Sequence, residues 1–472
     1  MTLNIPFDNS YVMLPQPLYT LQTPTAVSAP KLIAFNHALA DELGISGTED
    51  ESELARVFAG NVIPQGAEPL AQLYAAHQFG NWNPQLGDGR AILLGEVDSA
   101  MGRRDIQLKG SGRTPYSRGG DGRAWLGPVL REYVISEAMH ALGIPTTRAL
   151  AAVETGEAVI RETALPGAVL TRVAQSHIRV GSFQVLAARQ DFDGLRALYE
   201  HSVARHYPEA QSPVEFLNAV IAAQAKLIAK WMSVGFIHGV MNTDNCTITG
   251  ETIDYGPCAF MDNYHPSTVF SSIDRQARYA YANQADIIVW NMAQLATSLV
   301  PLMDDTDQAV AAFTASVHAM PAQIRRHWND AFRPKLGLSS EQAGDHELIT
   351  SLLNLMANQG ADFTNTFNAL ASDTARDQFV DPTEFDGWAR QWRDRLEQEH
   401  APQETMRAAN PWIIPRNHQV EAMITAAVAG DYGPFERLHE ALATPFTPIE
   451  SAVDLTRPPL EAERVKATFC GT

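Results

Sequence analysis

Residues 238–256, HGVMNTDNCTITGETIDYG, join a polar loop to a short apolar segment and a second acidic turn. Asn245 and Asp254, a carboxamide and a carboxylate, flank residues 246–253, which can form two short strands and so return both side chains to one place. Hard oxygen donors of this kind suit Mg2+ or Mn2+ bridging the phosphates of a nucleotide. An ordinary Asn/Asp-rich turn between a helix and a hairpin fits the same spacing, and only phosphate-binding parts elsewhere in the chain separate the two readings.

Working upstream, the helical pattern at 213–235 (Phe216, Val220, Ala223, Leu227, Ile228, Trp231) leads into this loop as a buried central helix would. Residues 168–184, AVLTRVAQSHIRVGSFQ, hold Arg172 and Arg179, which share a face if the chain bends into a helix near His177. Two converging guanidiniums suit a triphosphate, although two surface arginines are the plainer alternative. Residues 110–123, GSGRTPYSRGGDGR, concentrate five glycines and three arginines. Bare backbone and positive charge of this density make a pocket for phosphate.

Before it, residues 105–109 alternate as a strand, with Ile106 and Leu108 facing one way and Gln107 and Lys109 the other. A strand-borne lysine beside a glycine loop is how kinases hold phosphates, while a solvated strand lysine is commoner in general. Residues 74–89, YAAHQFGNWNPQLGDG, read as a loop feeding a strand at 90–97. Gly87 and Gly89 would let backbone N–H groups approach a phosphate, with Arg90 adding charge. The helix expected at 126–142 offers Glu132 and Glu137 as partners for Lys109, and periodicity, which sets Glu137 inside the apolar stripe, favours Glu137.

The remaining pattern is scaffold. The first 30 residues read as extended surface chain, residues 30–43 as a helix stopped by Gly44, and 285–302 and the run after Asn417 as further helices. The polar stretch at 372–404 reads as a connection or exposed insertion. With 472 residues, 45% hydrophobic and 19% charged, the chain has material for two or three domains' worth of core. A formal charge of −19 repels phosphate backbones and argues against nucleic acid as a partner. No apolar run approaching the ~20 residues of a bilayer span is evident, so no membrane association is expected and the expected location is cytoplasmic. The three cysteines, Cys246, Cys258 and Cys470, show no metal spacing and fit a reducing compartment.

These segments together resemble the selenoprotein O family, whose bacterial members are the YdiU-like proteins. The resemblance rests on HQFGNWNPQLGDGRAILLGE (77–96), QLKGSGRTPYSRGGDGRA (107–124), SEAMHALGIPTTRAL (136–150), AVLTRVAQSHIRVGSF, HGVMNTDN, DYGPCAFMD, RYAYANQ (278–284), ADFTNTF (361–367) and NPWIIPRN (410–417). It implies an α+β fold with a protein-kinase-like (pseudokinase) two-lobed core and an additional, mostly helical C-terminal region. Residues 1–70 would be an extension packing on the core, 71–185 an N-lobe-like nucleotide-binding part, 186–300 a C-lobe-like part with the catalytic and metal loop, and 301–472 the helical region and tail.

The implied activity is transfer of AMP from ATP to Ser, Thr or Tyr hydroxyls of target proteins, with Mg2+ or Mn2+. The implied ATP-binding residues are Gly87, Gly89, Arg90, Lys109, Asp121, Gly122, Arg172, Arg179 and Asp254. Asn245 and Asp254 would hold the metal, Asp244 would accept the proton, and Glu132, in preference to Glu137, would orient Lys109. In the family the nucleotide lies reversed relative to kinases, which exposes the α-phosphate. The family's cysteine near the carboxyl terminus has a counterpart in Cys470, but its usual partner after Asp262 has none. A small-molecule kinase would read H-G-D where this chain has Val240, so a kinase-type phosphotransferase is one alternative and a non-catalytic nucleotide-binding pseudokinase the other.

Overall fold

The apolar runs of the first 174 residues pair into one antiparallel sheet, and the chain beyond is mostly helical. The computed structural model describes residues 3–469. In chain order the sheet strands are β1 (Tyr19–Leu21), β2 (Lys31–Phe35), β3 (Leu70–Gln78), β4 (Asn81–Gly87), β5 (Ala91–Ser99), β6 (Gly102–Lys109), β7 (Ala124–Trp125), β8 (Arg148–Ile160) and β9 (Ala164–Ala174). Their spatial order is β1-β3-β5-β6-β9-β8-β2, with β4 paired to β3 and β7 to β9. The alternation expected of β6 holds. Ile106 and Leu108 join the apolar cluster under helices α1 (His37–Glu42) and α2 (Glu51–Phe58), while Gln107 and Lys109 face the opposite side.

On that opposite side lies α3 (Leu126–Ala141), whose Leu130, Tyr133 and Val134 pack on β8, β9 and the late helices α13 (Asn417–Val428) and α14 (Gly433–Leu442). Between them, α4 (Val180–Arg189), α5 (Phe192–His206), α6 (Pro213–Ser233), α7 (Gln284–Leu299) and α8 (Thr306–Phe332) build the largest core. Helix α6 starts where the Ser212 hydroxyl accepts from Glu215 N and Pro213 fixes the first turn. It ends at Gly235, φ 72°, which turns the chain into the polar loop.

Five expectations are corrected. Residues 31–35 are strand β2, not the start of a helix. Leu32 and its neighbours find backbone partners on the edge of β8, and Asn36 caps the helix only afterwards, accepting from Leu39 N. Residues 74–89 are the hairpin β3–β4, not a loop, with a two-residue turn at Phe79 (φ 51°) and Gly80 (φ 82°). A Phe-Gly turn lacks the Asn-Gly signature that marks such hairpins in sequence.

Residues 246–253 do not pair as two strands. Thr247 bridges to Arg179 and Thr252 to Thr146, while the Thr247 hydroxyl accepts from Glu251 N and donates to Glu251 O, closing a turn. Residues 372–404 are not a loose insertion. Phe385, Trp388 and Trp392 of α11 (Pro382–Leu396) are buried in a second core with α9 (Asp345–Gln359), α10 (Phe363–Leu370) and α12 (Pro402–Ala409). The segment Tyr281–Leu302 also departs from expectation: its 22 residues are long and apolar enough, by length and composition, to cross a bilayer. It packs against α4, α6 and α8, and that core position accounts for its composition. Cys246 and Cys258 are buried free thiols, and Cys470 lies outside the described residues.

Candidate active site

Strand register brings the first charges together. Gln107 on β6 stands opposite Arg172 on β9, so Lys109 and Arg172 share the face toward α3. One and a half turns into α3, Glu132 meets both. Its carboxylate accepts from Lys109 Nζ at 2.6 Å and from Arg172 Nε. Asp254 closes the ring, its Oδ1 taking Lys109 Nζ at 2.6 Å and Arg172 Nη2 at 2.9 Å. Two cations and two anions thus form a closed set. Burial opposes ionisation of both acids, yet Arg172 and Lys109 hold Glu132 below the ordinary carboxylate range, and Lys109 with Arg172 and Arg90 holds Asp254 well below it. Glu137 is occupied elsewhere. It binds Arg148 at 2.8 Å and caps Ala149 N at 2.8 Å, so helical periodicity located a buried acid but not the one at Lys109.

This ring forms one wall of a cavity of about 770 Å³ that also takes in Gly87, Gly89, Arg90, Asp121, Gly122, Arg179, Val240, Asp244 and Asn245. Every site residue named from the sequence except Glu132 lines the cavity, and Glu132 touches it through Lys109. Its volume is in the range of ligand sites. Gly87 and Gly122 are required by close approach: a Cβ would lie 2.4 Å from the Tyr116 ring at Gly87, and 2.1 Å from Gly112 O at Gly122. The glycine-rich loop can fold over β4 only because these side chains are missing. Asp121 sits on the rim, its carboxylate paired with Arg161 at 2.8 Å.

Deeper in, Arg179 stands at the N-terminal boundary of α4, its N–H donating to Ser182 Oγ, while its guanidinium lies 4.5 Å over Tyr74 and reaches Asp88 at 3.3 Å. Arg90 Nη1 is buried without a protein partner. A polyanion would satisfy both guanidiniums.

Opposite the ring stands the polar loop. Its side chains are stitched to the backbone of the β3–β4 hairpin: Thr243 Oγ1 accepts from His77 N at 2.8 Å, and Asn242 Oδ1 from Phe79 N at 3.0 Å. His238, stacked on Trp231, binds Ile253 O at 2.9 Å through Nε2, tying this loop to the Asp254 turn. Asp254 itself has φ 64°, a left-handed conformation that costs a non-glycine residue energy and is held by its ion pairs.

Asp244 differs from the ring acids. Gln78 Nε2 donates to its Oδ2 at 3.1 Å, but its Oδ1 is buried without a partner. Burial, with Arg179 only partly compensating, raises its carboxyl from 3.8 to about 6. A carboxylate of that basicity, on a residue that lines the cavity, can take a proton near neutral pH. Asn245 donates through Nδ2 to Val240 O at 3.1 Å, leaving its carbonyl oxygen uncommitted.

Among the described residues no cluster of three or more His, Cys, Asp or Glu could hold a metal by itself. Asp254 and Asn245 still fit Mg2+ or Mn2+, because such ions take one or two protein oxygens and complete their shell with phosphate and water. Tyr74, Gln78 and Asp88 were not singled out from the sequence. Asp88 was legible only as the middle of a Gly-Asp-Gly turn.

The chain as a whole matches known proteins. The family model described as protein adenylyltransferase SelO matches residues 1–443. A protein of Ruegeria pomeroyi named protein nucleotidyltransferase YdiU is 65% identical over 473 residues, covering 100% of both chains. Proteins of the same name from Ruegeria sp. and Roseobacter denitrificans are each 63% identical over the same full coverage.

Proposed function

The chain belongs to the SelO family of protein adenylyltransferases and is a protein nucleotidyltransferase, and from that premise we propose that it moves AMP from ATP onto Ser, Thr or Tyr hydroxyls of other proteins. We read its architecture as kinase-like and two-lobed, with the sheet lobe supplying Lys109 and Glu132 and the helical lobe supplying Asp244, Asn245 and Asp254.

In this reading the β- and γ-phosphates lie against Lys109, Arg172, Arg179 and Arg90, with Gly87, Gly89, Asp121 and Gly122 lining the rest of the nucleotide's path. The acceptor oxygen attacks the α-phosphorus, the bond from that phosphorus to the bridging oxygen breaks, and pyrophosphate leaves with the electron pair. Asp244 takes the hydroxyl proton. The guanidiniums and Lys109 neutralise the charge that grows on the leaving group, and they are fixed in place before the reaction by Glu132 and Asp88. Asn245 and Asp254 would hold a divalent cation, which when bound supplies Lewis-acid stabilisation of the phosphoryl oxygens.

The observation that carries the choice of AMP over phosphate is the position of the free acid. Val240, which cannot accept a proton, is buried at the cavity, and the uncommitted carboxylate oxygen belongs to Asp244 instead. Separate reactions with ATP labelled at the α- or the γ-phosphate test this. Protein-bound label from α alone is expected. Label from γ alone makes the enzyme a kinase, and label from neither, with ATP still bound, makes it a nucleotide-binding scaffold.

A further inference from the structure

Three consecutive residues at the hairpin turn after β3 address three consecutive residues of the polar loop. His77 N donates to Thr243 Oγ1 at 2.8 Å, Gln78 Nε2 to Asp244 Oδ2 at 3.1 Å and Phe79 N to Asn242 Oδ1 at 3.0 Å. The outer two bonds use backbone N–H groups, which every residue but proline supplies. Only the middle one depends on a side chain of the hairpin. It is also the one that reaches the reaction site, because Gln78 and Asp244 both line the cavity.

Among the described residues Gln78 is the one side chain hydrogen-bonded to the Asp244 carboxylate. The Arg179 guanidinium is directed to Asp88 instead, at 3.3 Å. An aspartate carboxylate turns about a broad, two-fold torsion, so a single amide donor decides which plane it holds. The sense of that amide is fixed by chemistry: an ionised carboxylate only accepts, and only the NH2 end of Gln78 can give.

Gln78 is held in turn. Phe79 (φ 51°) and Gly80 (φ 82°) close the hairpin immediately after it. The Phe79 ring lies 5.1 Å from the Tyr279 ring, and the Tyr279 hydroxyl donates to the same Asn242 Oδ1 at 2.7 Å. On the strand side Gln184 Nε2 meets His77 Nδ1 at 2.9 Å, which ties β3 to α4. The amide is therefore presented to Asp244 from a turn fastened on both sides, as a group that sets the geometry of another must be.

Resting on the reading of Asp244 as proton acceptor, we infer that Gln78 is a positioning residue for the transfer: its amide orients the Asp244 carboxylate for the incoming hydroxyl. The base carried by the polar loop is completed by a side chain from the sheet. Gln78 neither gives nor takes a proton in the step. The hydroxyl proton passes to Asp244 as the oxygen bonds to the α-phosphorus, and a carboxylate turned out of plane loses rate through geometry while nucleotide binding is untouched.

The test measures label transfer by the full-length enzyme from ATP labelled at the α-phosphate to a peptide library carrying Ser, Thr or Tyr, for wild type, Gln78→Met, Asp244→Asn and the double variant. Methionine keeps the length of glutamine and removes the donor. Gln78→Met should lower kcat by about tenfold or more, the worth of one hydrogen bond to a charged group, with the KM for ATP and the circular dichroism of the fold unchanged. In the Asp244→Asn background, where residual label is accumulated over long incubation, the same substitution should cost less than about twofold, because no proton acceptor remains to orient.

Wild-type turnover by Gln78→Met, or a KM for ATP that rises with the loss, overturns the positioning role. A tenfold loss that recurs in the Asp244→Asn background overturns it equally, since Gln78 would then act on something other than this carboxylate. Each of these leaves Asp244 standing as the base. Wild-type turnover by Asp244→Asn refutes that reading, and no α-label on any peptide refutes transfer to hydroxyls; either takes this inference with it.

Discussion

Replacing Asp244 with Asn should slow transfer by orders of magnitude and at the same time stabilise the folded protein at neutral pH. The carboxyl is raised from 3.8 to about 6 because its ionised form is taken from water, and Arg179 only partly compensates. A folded-state value above the unfolded one means that the native state binds this proton more tightly. Its contribution is therefore neutral below pH 3.8, turns unfavourable as pH rises between 3.8 and about 6, and reaches its full cost above that. At about 1.4 kcal/mol per pH unit the cost is at most about 3 kcal/mol. Asp244 is only partly enclosed, and screening reduces this to about 1–2 kcal/mol.

Asn keeps an oxygen for the Gln78 amide and removes the charge. The variant should thus melt at the same temperature as wild type near pH 4 and higher than wild type at pH 8. Its turnover should fall by about 10²–10⁴-fold, the usual contribution of a general base. Wild-type turnover should rise with pH through about 6 and then level. Differential scanning calorimetry at several pH values and a pH–rate profile with labelled ATP make the comparison. An Asn variant that is less stable than wild type at pH 8, or that retains activity, would refute the argument that Asp244 is a partly desolvated, proton-accepting acid.

Three further outcomes follow from the ion pairs. Glu132→Gln should lower turnover about 10²-fold by releasing Lys109 and Arg172 from their set positions, read from kcat and the KM for ATP against an unchanged fold by circular dichroism. Glu137→Gln should act on stability instead, by about 2–3 kcal/mol, because it breaks a buried pair with Arg148 and the cap of Ala149; denaturant titration measures it. Arg205→Gln should raise the KM for ATP several-fold. Arg205 holds Asp105 at 2.6 Å, and Asp105 in turn binds His177 N at 2.8 Å and Nδ1 at 3.0 Å, fixing the turn from which Arg179 projects. An isothermal titration with ATP should show the loss directly.

The sequence by itself determined the elements whose physics is local. The period-2 pattern of 105–109 and the period-3.6 patterns of 126–142 and 213–235 placed Lys109, the α3 acids and the approach to the polar loop, because solvent and core select faces one side chain at a time. The charge contrast between residues 110–123 and an acidic chain located a loop that lines the cavity, since composition carries that contrast without reference to fold. Tertiary structure alone decided the rest. Which of Glu132 and Glu137 meets Lys109 depends on how α3 is rotated over β6 and β9, and two acids five residues apart both found buried cations. Residues 31–35 became a strand because β8 offered an open edge, and residues 74–89 became a hairpin through a Phe-Gly turn that only its flanking strands require.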